Sequence, residues 1–288
     1  LVSYSIHIQI VFLKKHRCEI MRCKFLLFLL LVLNLIFCST SIWAEMNRAS
    51  DRVSNSIKVL SSVGSRVTGY PGADEASNWI ESQLRLIGAD KVYSHEYSQI
   101  MPIDKGFKLS VADQEFLLYG VWPNLIRTST LPTDGIDGRL IYGGRGELLD
   151  GKTVEDNIVL LEFDCQDKWL DVFQMGALAV VFLHVPGSHR SESEQKFLDI
   201  PANLPRFFAT EEVGSQLLTF ASDNAIANIV GEMPLESVKA RNLIAIIEGH
   251  DPSLRKEAIV ISAYYDAISP VPALAPGADQ ASSAAVLL

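Results

Sequence analysis

The chain has 288 residues, a formal net charge of −9 and 48% hydrophobic residues, long enough for two compact units and too apolar for a disordered chain. Residues 1–44 carry Lys14, Lys15, Arg17, Arg22 and Lys24 against Glu19, a balance of +4, so −13 falls on the remainder. A body that acidic lacks the clustered Lys and Arg that a phosphate backbone demands, so nucleic acid is excluded as a partner.

The first predicted element is an address. Arg22 and Lys24 precede an apolar run from Phe25 to Phe37, followed by Ser39, Thr40, Ser41 and Ala44. A basic start, a 13-residue apolar stretch and small residues behind it describe a secretory signal peptide, too short for a comfortable membrane span. Met21 is the natural start, which makes the first twenty residues an upstream extension or a misplaced gene start; an uncleaved anchor is the alternative to a cleaved signal. The expected location is secreted or periplasmic, with membrane contact only through an uncleaved signal or through segments past Leu288. Cys18, Cys23 and Cys38 lie in or before this segment, leaving Cys165 alone and no internal disulfide for the rest of the chain.

Val53, Ile57 and Leu60 recur at helical spacing, as do Ala76, Trp79, Ile80, Leu84 and Ile87 before the natural stop Gly88. Between them the Gly- and Pro-rich segment Gly64-Ser65-Arg66-Val67-Thr68-Gly69-Tyr70-Pro71-Gly72 reads as a turn. From about residue 106 to 237 short apolar runs alternate with turns. Phe116 to Val121, Leu140 to Tyr142, Ile158 to Phe163 and Leu178 to Leu183 are predicted strands, with a helix over Trp169 to Gly176. Gly143-Gly144-Arg145-Gly146 is a turn, because no Lys-Ser/Thr follows it to hold phosphate and magnesium. Cys165 follows an apolar run and is expected to be a buried small side chain. His95, His184, His189 and His250 are read as loop or surface residues.

Two more strands are predicted near the end, Asn242 to Glu248 and Ala258 to Asp266, the second leading to Pro276-Gly277-Ala278-Asp279 and a helix beginning at Ser282. On a strand, residues two apart share a face, which puts Tyr264 and Asp266 side by side at its carboxyl end, where open α/β sheets bind ligands. Asp279, after a glycine that lets the chain turn tightly and close to a helix start, is a carboxylate able to bridge two cations. Neither a His-Glu-x-x-His nor a Cys-x-x-Cys pair is present, and Ser282 and Ser283 sit in no Gly-x-Ser-x-Gly elbow.

The end of the chain resembles the zinc aminopeptidases of metallopeptidase family 28, whose strand closes on His-x-Asp and whose next loop reads Pro-Gly-Ala-Asp. The segment around Ser65-Arg66 resembles that family's entry to its first long helix. The resemblance implies an α/β fold with a mixed-sheet, zinc-exopeptidase-like catalytic domain, here truncated. It implies two zinc ions, Asp279 as their bridging ligand, Tyr264 at the position of the usual His ligand, and Asp266 as the carboxylate supporting that ligand. Tyr264 sets this chain apart, since a phenol must lose a proton at a pKa of about 10 before it ligates, while an imidazole is ready at pH 7.

The middle of the chain resembles a mostly-β protease-associated domain inserted into such enzymes. The expected organisation is 1–44 extension and signal peptide, 45–105 first part of the peptidase-like domain, 106–237 inserted domain, and 238–288 its continuation. No catalytic residue is assigned within the chain, because the family's Glu-Glu pair, further acid and final His fall downstream of Asp279. The expected function is a secreted zinc-dependent exopeptidase hydrolysing peptide bonds of peptide or protein substrates. The alternative is a catalytically inactive peptidase-fold protein that binds partners or helps assemble a membrane complex.

Overall fold

The computed structural model describes residues 48–288 apart from 125, 198–200, 252, 255 and 256, so the expected signal peptide lies outside the described residues. Val53–Leu288 forms one compact unit. It is α/β with mixed β-pairing.

Helix α1 (48–62) is followed by the turn at 63–70 and by α2 (Pro71–Leu86). Pro71 occupies the first turn of α2, where its missing N–H costs nothing. Ala76, Ile80 and Leu84 recur on one face of α2 and bury against Leu60 of α1 and Ala281 and Ala284 near the chain's end.

Strand β1 (Lys91–Pro102) pairs antiparallel with β9 (Leu235–Ile246) over their whole length, from Lys91 opposite Ile246 to Pro102 opposite Leu235. Residues 235–237 therefore lie in this two-stranded ribbon. Most of β1 is exposed, yet Val92 on β1 and Leu243 on β9 reach the apolar cluster of α2.

Between the two ribbon strands the chain closes a seven-stranded barrel in the order β2-β3-β7-β6-β5-β4-β8. Its strands are β2 (Phe107–Val111), β3 (Gln114–Gly120), β4 (Ile136–Tyr142), β5 (Ile158–Glu162), β6 (Ala179–Leu183), β7 (Arg206–Ala209) and β8 (Ile226–Gly231). The run β4-β5-β6-β7 is parallel and the remaining pairs are antiparallel. Strands β5 and β6 are apolar on both faces because both are covered. Ile158, Leu160 and Val181 pack with Leu217 of α5 (Glu211–Ser222), while Val159, Leu161, Val180 and Phe182 pack with Trp169 and Val172 of α3 (Trp169–Gln174). Helix α4 (Arg190–Lys196) ends on Lys196, whose ammonium is buried beside the rings of Phe163 and Phe182 and is paired to Glu192 at 3.3 Å.

Two expectations near the end of the chain are corrected. Residues 258–266 do not form a strand. Ile259, Val260 and Ile261 are 94%, 85% and 78% exposed, and no described strand offers them a ladder, so the apolar pattern finds neither hydrogen-bond partner nor cover. Helix α6 (Ala278–Leu287) begins four residues earlier than expected. Gly277 takes a left-handed conformation (φ 60°, ψ 49°) and serves as its N-cap, so Asp279 lies inside the first turn rather than before it.

Candidate functional site

The turn before α2 is built around Arg66. Its side chain is fully buried, and its guanidinium donates to four backbone carbonyls: Leu60 at 2.6 Å, Tyr265 at 2.9 Å, Pro276 at 2.7 Å and Gly277 at 2.9 Å. The Arg66 backbone adds two more bonds, N–H to Ala275 O at 2.9 Å and O from Ala267 N–H at 3.1 Å. Ser65 Oγ donates to Pro272 O. Residues 265 and 277, the two ends of one loop, are thus tied to a single side chain.

The close fit is visible at two glycines. A Cβ on Gly277 would lie 2.7 Å from Ala267 Cβ and 3.1 Å from an Arg66 nitrogen, and one on Gly72 would lie 2.3 Å from Val63 O and 2.4 Å from Ser65 O. Both positions require glycine for space, and Gly277 also for its backbone angles.

The same loop docks on the barrel. Trp122, just past β3, donates its N–H to Pro270 O at 2.7 Å, and Val271 is buried in the cluster shared with Trp169, Phe182 and Leu204. Asp104, between β1 and β2, accepts the N–H groups of Gly106 and Gly120 at 2.7 Å each, while its own N–H donates to Tyr70 Oη at 2.8 Å. Burial pushes the Asp104 carboxyl above the usual carboxylate range, against the pull of those two donors.

The three residues expected at a cation site are placed differently from one another. Tyr264 is 59% exposed, off any strand. Asp266 is half-buried; burial raises its carboxyl above the ordinary value while the Arg66 guanidinium pulls it down. Both line a broad cleft of about 1340 Å³ together with residues 242–249 and 257–263. Asp279 does not line that cleft. Its carboxylate points to solvent, 83% exposed, with Arg190 Nη1 of α4 at 3.7 Å. Tyr265, one residue past Tyr264, donates its hydroxyl to Arg241 O at 2.7 Å.

A two-zinc centre needs several His, Cys, Asp or Glu donors within about 2 Å of each ion. Among the described residues no group of three or more such side chains is arranged to hold a metal ion. One solvated carboxylate beside a guanidinium, one exposed phenol and one half-buried carboxylate do not fit that donor set.

His95 and His184 are exposed and Cys165 is buried. His95 stacks on Tyr97 with centroids 6.1 Å apart, and His184 Nδ1 lies 3.9 Å from Glu211. Cys165 is buried, and burial pushes its thiol up to about 11. Among the described residues no helix is long and apolar enough to cross a membrane.

The sequence marked Arg66 only as part of a resembling segment, with no role of its own, and did not single out Arg190. Arg66 was visible as part of a Gly/Pro turn, but nothing local tells which carbonyls, some 200 residues on, it will meet. Arg190 carried no signal.

No family model matches the chain, and no curated protein matches it. Solved structures do. An aminopeptidase from an Aneurinibacillus species is similar at 20% identity and a TM-score of 0.40, over 82% of this chain and 56% of its own. A zinc aminopeptidase from Bacillus subtilis matches at 20% identity and a TM-score of 0.48, over 70% of this chain and 48% of its own. A peptidase M28 precursor from Shewanella amazonensis matches at 11% identity and a TM-score of 0.43, over 69% and 53%. The chain spans about half the length of these structures.

Proposed function

We propose that this chain is a peptidase-like scaffold acting outside the cytoplasm, and that its described residues serve recognition of a peptide or protein partner, or assembly of a complex, rather than hydrolysis. One observation carries this. Asp279, the carboxylate best suited by sequence to bridge cations, is turned to solvent beside Arg190, away from the cleft that Tyr264 and Asp266 line. The proposed organisation keeps the barrel as a protease-associated module inserted between the ribbon strands, with the proposed location resting on the basic and apolar segment from Arg22 to Phe37.

The experiment is a zinc determination and Leu-p-nitroanilide hydrolysis on the full-length protein, wild type and Tyr264→His. No retained zinc and no turnover in either form is the expected result. Stoichiometric zinc with turnover in the wild type would overturn it.

A second reading, a zinc-dependent exopeptidase that draws its remaining ligands from residues other than those described, is favoured by the Arg66 brace, which holds Asp279 at the head of α6 in a preformed loop. In that case the same assay reports turnover that disappears with Asp279→Asn.

A further inference from the structure

The loop that would be expected to hold cations is surrounded by protein cations instead. Arg66 is wholly buried, with its guanidinium donating to the carbonyls of Tyr265, Pro276 and Gly277. Arg190 lies above it, on the barrel helix α4, with Nη1 3.7 Å from Asp279 and Nε 3.0 Å from Glu194. The loop's backbone is therefore held by an arginine of the turn before α2, and its terminal carboxylate, Asp279, faces an arginine of the barrel.

We propose that Arg66 and Arg190 take the charge-balancing and organising role at the 265–279 loop, Arg66 as the positioning residue that shapes it and Arg190 as a weaker, displaceable strap, so that the loop keeps its form without a divalent cation. A guanidinium suits the buried position because its planar fork can serve several carbonyls at once, and burial lowers its pKa without stripping its proton. Lysine in its place has one point of charge and cannot span acceptors on both sides of the loop. The exposed pair at Arg190 is of the kind that contributes little and is screened by salt. The inference deepens the recognition reading and rests on it for what the loop is used for, not for how the loop is held.

The test is amide hydrogen exchange of peptides spanning 264–280 in the full-length protein, compared in EDTA and in excess zinc. Equal protection in both is expected. Arg66→Met is expected to speed exchange across the loop by about 100-fold or more, because three bonds from a charged donor to the loop's carbonyls are lost together, with Arg66→Lys recovering only part of the protection. Arg190→Gln and Asp279→Asn each change exchange by at most about fivefold, their effects are non-additive, and both vanish at high salt. Protection that collapses in EDTA and returns with zinc overturns the proposal, as does an Arg66→Lys loop as slow as wild type. If Arg66→Met does not fold, the EDTA and zinc comparison on wild type and the lysine variant still decide. Additive effects at 190 and 279 would remove the strap alone. Zinc-dependent turnover by a loop that ignores EDTA would remove the recognition reading and leave this inference standing.

Discussion

Asp104→Ala tests how the barrel is joined to the ribbon. In the wild type one half-buried carboxylate accepts two backbone N–H groups at 2.7 Å, Gly106 at the start of the barrel and Gly120 at the end of β3, two residues before Trp122 reaches the site loop. Alanine leaves both donors without an acceptor, at about 1–3 kcal/mol for each fully buried orphan and less here because water has partial access. Removing a carboxylate whose burial raises its pKa returns part of that, so the net loss is about 2 kcal/mol. The pH dependence has a definite sign. A carboxyl whose folded pKa lies above its unfolded value binds protons more tightly when folded, so wild-type stability from this group rises as pH falls through the folded pKa toward the ordinary value near 3.9. Urea unfolding followed by tryptophan fluorescence at pH 7 measures the loss of stability, and the same titration carried down toward the ordinary carboxylate range reads the slope, which the variant should lack in part. A loss below about 0.5 kcal/mol at pH 7 would refute the clip between ribbon and barrel.

Gly72→Ala should lower stability by about 1–3 kcal/mol or more, because its Cβ would sit 2.3 Å from Val63 O and 2.4 Å from Ser65 O in a turn with no room to yield; a melting temperature equal to wild type would contradict it. Cys165, with its thiol near 11, is roughly 0.1% thiolate at about pH 8, so alkylation should be very slow in the folded protein and fast after denaturant is added. Mass spectrometry after a short iodoacetamide pulse reads the difference, and rapid labelling of the native protein would show the site open.

Local pattern sufficed wherever an element is decided by its own residues. Ala76, Ile80 and Leu84 at helical spacing predict the body of α2, and the apolar runs at β5 and β6 predict strands, since periodicity records which faces are buried. The β-rich character of the middle of the chain was legible in the same way. The resemblance pointed to Tyr264, Asp266 and Asp279 as a group, but not to where each would face.

Tertiary structure decided the rest. Strand β1 is exposed at most of its positions and becomes a strand because β9, more than 130 residues later in the chain, offers it a full ladder. Residues 258–266 carry a stronger apolar pattern than β1 and remain outside any sheet, because a strand is completed by its neighbours' hydrogen bonds and not by its own composition. Arg66 reads locally as one charge in a glycine-rich turn. Only folding brings the carbonyls of residues 265, 276 and 277 to it and makes it the residue that shapes the loop, since hydrogen bonds between segments distant in sequence leave no trace in the spacing of either one.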